Sequence, residues 1–157
     1  MSYGPGPVRP PRATFGRPGG ALSALRDAVA ASPGFADAHL ELGRAILEMG
    51  DDVPAAIREF RIVLNLDPER AEAHYRIGLA LLKSDQKTAL EELRAASSMA
   101  PCRVEIIRAL ARAAFDAGDW STAAAQFRRI LAWSPADKEA LRNLNTYAGS
   151  PDEIIFF

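Results

Sequence analysis

The chain has 157 residues, enough for one domain with a real core, and an ordinary balance of 48% hydrophobic and 25% charged residues. Its formal net charge is −1, so the molecule as a whole has no bulk attraction for nucleic acid or an anionic membrane. Its single cysteine, Cys102, excludes an intramolecular disulfide, and no run approaches the ~18 apolar residues needed to cross a bilayer.

Residues 1–20 carry five Gly, five Pro, Arg9, Arg12 and Arg17, a net +3 that leaves the remainder at −4. Such a segment cannot bury enough apolar surface to offset its ordering entropy, so it reads as a flexible or polyproline-like arm. It has no apolar stretch behind its arginines and does not read as a secretory signal; a cytoplasmic protein is expected.

Beyond Gly20, prolines at 33, 68, 101 and 135 are spaced 35, 33 and 34 residues apart, each closing an apolar periodic run. The segments before them align as Ala21-Leu22-x-x-Leu25, Ala56-Ile57-x-x-Phe60, Ala89-Leu90-x-x-Leu93 and Ala123-Ala124-x-x-Phe127. Those after them align as His39-x-x-Leu42-Gly43-x-x-Ile46, His74-x-x-Ile77-Gly78-x-x-Leu81, Ile107-x-x-Leu110-Ala111-x-x-Ala114 and Leu141-x-x-Leu144-Asn145-x-x-Ala148. Apolar residues three and four apart make a stripe on a helix. The pattern predicts helices over 21–31, 36–49, 54–66, 71–83, 87–99, 103–117, 120–133 and 137–148. Turns near Gly50, Asp85 and Gly118 separate the two helices of each unit. Gly43, Gly78, Ala111, Ala56, Ala89 and Ala123 are expected at close helix contacts, with Trp120 and Trp133 in the core. No pair can bury both faces alone, so stacking creates the core.

These residues resemble the tetratricopeptide repeat family, over about 21–148. Ala71-Glu72-Ala73-His74-Tyr75-Arg76-Ile77-Gly78 fits its first-helix pattern, and Gly118-Asp119-Trp120 with Ala123, Phe127 and Pro135 fits its second. The resemblance implies an all-α, right-handed solenoid of antiparallel helix pairs, about three repeats plus a leading and a closing helix, that binds a protein or peptide. An extra residue around Asp51–Pro54 and a missing one around Ser84–Gln86 depart from the pattern, both in turns. RNA-binding pentatricopeptide proteins are the nearest confusable family; the mildly acidic body and the Leu-Gly marks disfavour an RNA-binding repeat.

No catalytic constellation emerges. His39 and His74 occupy equivalent places in successive repeats and read as aromatic substitutes packed on a helix face. Cys102 has no base near it in sequence. No phosphate loop, metal set or cofactor motif is expected, and the chain reads as a non-enzyme. By helical phase, Leu40, Arg44, Leu47, Tyr75, Leu79, Leu82, Arg108, Arg112, Phe115 and Arg142 are expected to line a concave peptide groove, its arginines suited to an acidic or carboxylate-bearing partner. The family's chaperone-tail carboxylate clamp would fall on Leu40, Arg44, Arg76, Glu105 and Ala109, where only the two arginines keep the required basic character, so no such clamp is expected. The tail, residues 149–157, ends Asp152-Glu153-Ile154-Ile155-Phe156-Phe157 and is expected to cap the last helix or to mediate self-association. An accessory subunit held in a larger enzyme complex is the alternative to a freestanding adaptor.

Overall fold

The structure is a computed structural model that describes residues 18–50 and 52–148. The described residues form eight helices and no strand: α1 Pro18–Ala31, α2 Ala36–Met49, α3 Val53–Leu66, α4 Ala71–Leu81, α5 Gln86–Met99, α6 Val104–Asp116, α7 Trp120–Trp133 and α8 Lys138–Ala148. The arm before Pro18 and the tail after Ala148 lie outside the described residues.

The chain sets these boundaries with a recurring device. Asp52, Asp85 and Asp119 each precede the second helix of a pair, and each side chain accepts a backbone N–H three residues on, at 2.8, 3.1 and 3.1 Å. That bond satisfies one of the orphan donors at a helix start. The first helices α2, α4 and α6 follow Phe35, Arg70 and Arg103, whose side chains make no cap bond. Gly50 and Gly118 turn the chain between paired helices at φ 75° and 74°, a backbone region that disfavours a side chain. α1 starts three residues earlier than the periodicity predicts, at a proline, which the first turn of a helix tolerates. α4 stops two residues short of its expected end, and the chain turns toward α5 there.

Each helix packs on the next in chain order, most extensively within the pairs α2–α3, α4–α5 and α6–α7. This is a right-handed solenoid of three antiparallel pairs, with α1 leading and α8 closing. The first core cluster holds Leu42, Ile46, Ala56, Phe60, Val63 and Ile77, and the cluster at the other end holds Ile107, Ala111, Ala123, Phe127, Ile130 and Ala140. The small residues explain how close the paired helices come. A Cβ on Gly43 would sit 2.5 Å from a Phe60 ring carbon, and one on Gly78 would sit 2.7 Å from Leu93 Cγ and 3.2 Å from the Ala89 carbonyl oxygen. Ala56 and Ala89 are fully buried and Ala123 is nearly so.

Two expectations of burial are corrected. Trp120 is 38% exposed and Trp133 50% exposed. Trp120 lies edge-on to Phe115, at 5.0 Å between ring centres, on the rim of the cluster rather than inside it. Trp133 is the last residue of α7, at the end of the helix.

Candidate functional site

His39 and His74 do more than pack. His39 is buried; its Nε2 lies 2.9 Å from the Pro33 carbonyl oxygen and its Nδ1 lies 2.7 Å from Glu59 Oε2. His74 repeats the arrangement one unit later, with Pro68 at 3.3 Å and Glu92 at 2.6 Å. A carbonyl oxygen only accepts, so Nε2 is the donor to it, and Nδ1 faces the carboxylate. Each histidine thus clasps the preceding proline turn and the second helix of its own pair. Glu59 and Glu92 were not singled out from sequence, because both look like solvated surface carboxylates.

Ion pairs tie the first helices to one another. Asp37 of α2 pairs with Arg70, and Glu72 of α4 accepts from Arg103 at 2.7 Å. Burial pushes the Glu72 carboxyl up, but hydrogen bonds from Arg103 and Arg76 outweigh it and hold the group below its ordinary value. At the last junction the polarity reverses: Arg108 of α6 donates to Asp137 Oδ2 at 2.7 Å and to Glu139 Oε2 at 2.8 Å, while Arg112 donates to Glu139. The Arg108 guanidinium, with the Ala140 N–H, lowers the Asp137 pKa to about 2. The bond from Arg112, opposed by burial and helped by Arg108, lowers that of Glu139.

The expected groove residues therefore divide. Leu40 is buried, 7% exposed, in the first core cluster, and Leu47 packs half-buried against it. Arg44 donates to Glu41 at 2.8 Å, while its Nε is buried without an acceptor among the described residues. Tyr75 and Leu82 pack half-buried beside Leu93, Leu110 and Ala113. Phe115 packs edge-on to Trp120 and Phe127. Arg108 and Arg112 are held by the α8 carboxylates, and Arg142 is exposed.

Leu79 and Leu82 come together in a pocket of about 670 Å³ where the first turns of α3 meet the last turn of α4. Val53, Pro54 and Ile57 form the opposite wall, with Arg58, Arg61 and Lys83 also lining it. This volume lies in the range typical of ligand sites, ~300–1,000 Å³. Sequence reasoning named the α4 wall but not the α3 wall, although Pro54, Ile57, Arg58 and Arg61 share the helical spacing that should have joined them. A second pocket, of about 560 Å³, has Arg94 and Arg129 in its lining, but both side chains are already engaged. Arg94 donates to Asp119 and Thr122, and Arg129 to Gln126 and the Pro101 carbonyl. Among the described residues no group of three or more His, Cys, Asp or Glu could hold a metal ion, and no helix is long and apolar enough to cross a membrane.

No curated protein matches the sequence. The fold is similar to that in a crystal structure of MamA, at TM-score 0.73 and 22% identity over 80% of this chain and 74% of that one. It is also similar to MamA 41-end from Desulfovibrio magneticus RS-1, at TM-score 0.70 and 25% identity over 80% and 71% of the two chains. A third similar structure is TTC0263, a thermophilic tetratricopeptide repeat protein of Thermus thermophilus, at TM-score 0.67 and 22% identity over 83% and 73%. The family model for the tetratricopeptide repeat matches residues 13–53, 47–101 and 108–144. With three matched segments over most of its length and the stacked pairs described above, the chain belongs to the tetratricopeptide repeat family.

Proposed function

We propose that this solenoid is a non-catalytic interaction scaffold that receives an extended peptide or a partner subunit along the face carrying its first-helix residues. The observation that carries this reading is the open apolar pocket at Leu79 and Leu82: two large apolar side chains on a first helix face a ligand-sized space instead of closing it. Tyr75, one helical turn before Leu79, extends the half-buried surface, since residues four apart on a helix share a face. An acidic or carboxylate-bearing partner would meet Arg142 directly and Arg44 by exchange with Glu41. It would reach Arg108 and Arg112 only by exchange with Asp137 and Glu139, so the apolar contacts supply the larger share of affinity. The small net charge supports a protein rather than a nucleic-acid partner, and cytoplasmic placement is part of the same reading.

The test is site-specific photo-cross-linking in the native host. A photoreactive side chain at Tyr75 is expected to capture a discrete partner, whereas the same group at Arg128, exposed on α7, captures none. Equal capture at both positions would dispose of the groove. One observation favours the accessory-subunit reading: Leu66, Met99 and Trp133, the last residues of α3, α5 and α7, are 45%, 41% and 50% exposed. A row of large apolar side chains at equivalent places suits permanent burial against a larger partner.

A further inference from the structure

The α3–α4 pocket joins apolar walls to an unsatisfied cationic lining. Among the described residues Arg61 and Lys83 have no carboxylate partner, and Arg58 has only Asp52, at 4.0 Å. Elsewhere, Arg70, Arg94, Arg103, Arg108 and Arg112 each hold a carboxylate of this chain. The pocket asks for the reverse pattern, large apolar groups flanked by acids. This chain carries that pattern at Asp152-Glu153-Ile154-Ile155-Phe156-Phe157, outside the described residues. We propose that the pocket binds residues 152–157 of a second copy of this chain. A tail phenylalanine enters between Ile57 and Leu79, and Asp152 and Glu153 lie against Arg58, Arg61 and Lys83.

A second copy is favoured over the chain's own tail by the order of packing. α8 packs on α7, and α5, α6 and α7 separate it from α4. Followed along that packing order, the four steps of ~8–10 Å each exceed the ~30 Å that nine fully extended residues span. A neighbouring copy presents its tail without that constraint. The contact joins two different patches, so it either closes a ring or propagates.

The inference rests on the reading of the chain as a peptide-binding solenoid, and the two fail separately. Sedimentation velocity of the full chain over a concentration series is expected to show association that weakens at high salt. The variants Arg61→Glu/Lys83→Glu and Phe156→Ser/Phe157→Ser should each raise the dissociation constant at least about tenfold. Mixed in equal amounts, they should form a complex that stops at two copies, because the mixture holds one intact pocket and one intact tail per pair. A fluorescein-labelled Asp-Glu-Ile-Ile-Phe-Phe peptide should bind the tail variant but not the lining variant. A wild-type chain that stays monomeric overturns the proposal, as does a mixture that fails to associate or a peptide indifferent to Arg61 and Lys83. A tail variant that loses thermal stability at every concentration without changing mass places the segment in its own chain and overturns the second copy as occupant. Partner capture at Tyr75 by a monomeric chain leaves the scaffold reading standing and removes only this one; self-association without capture does the opposite.

Discussion

A methyl group at position 43 has nowhere to go. Its carbon would lie 2.5 Å from the fully buried Phe60 ring, well inside the ~3.5–4.0 Å of favourable contact, and a buried ring can retreat only by moving α3. Gly→Ala in a helix otherwise gains roughly 0.5–1 kcal/mol, so two effects of opposite sign compete. Overpacking costs ~1–3 kcal/mol and should win. Gly43→Ala is expected to lower the denaturant midpoint, and a higher midpoint would show that the two helices are not pinned there. The glycine was legible in the sequence because a small residue after a bulky one, Gly43, Gly78 and Ala111, recurs in register. The carboxylates that His39 and His74 reach were not, since nothing local distinguishes Glu59 from its exposed neighbours.

Among the elements, α8 has a slight claim on the core, with Ala140 the one fully buried side chain among its described residues. It packs on α7 alone among its larger contacts, and its exposed Leu141 shows how little of it is covered. Arg108 and Arg112 hold it from α6 through Asp137 and Glu139. Asp137 also caps α8 by accepting the Ala140 N–H at 2.9 Å. Its pKa is lowered to about 2 by Arg108 first, so its ionised form favours the folded chain. The stability this adds is present above the ordinary carboxylate range and is lost as pH falls through about 2. Asp137→Asn keeps a capping oxygen but removes the charge. Its melting temperature should fall below wild type at neutral pH, and the gap should close toward pH 2. A gap constant across that range would leave the ion pair without a role. Helix limits were readable from sequence to within three residues, since periodicity, turn residues and prolines are local signals. The fate of Arg108 was not, because its partners lie 29 and 31 residues away and depend on how one unit sits on the next. Leu40 shows the same limit: helical phase gives a direction, and only the neighbours decide whether that direction meets core or solvent.

At the scale of the molecule, stability is a sum over neighbours, because each helix packs chiefly on the one before and the one after it. Damage at one end should stay there. Arg108→Ala/Arg112→Ala is expected to speed amide exchange in α8 while the α2–α5 amides keep their protection. A uniform rise across all eight helices would mean that the stack opens as one unit.

The histidine clasps give the second unit a property that a plain stack of apolar faces lacks. His39 and His74 each close on the proline that ends the previous unit and on a glutamate of their own. A duplicated stretch such as 36–70 would bring its own histidine, glutamate and terminal proline, and would offer its follower the same turn that it found itself. The chain is therefore written in interchangeable cassettes at its amino-terminal end, where it can be lengthened without redesigning a junction. The third pair has Ile107 in the histidine's place and meets α8 through reversed charges, so its junctions are not of that interchangeable kind.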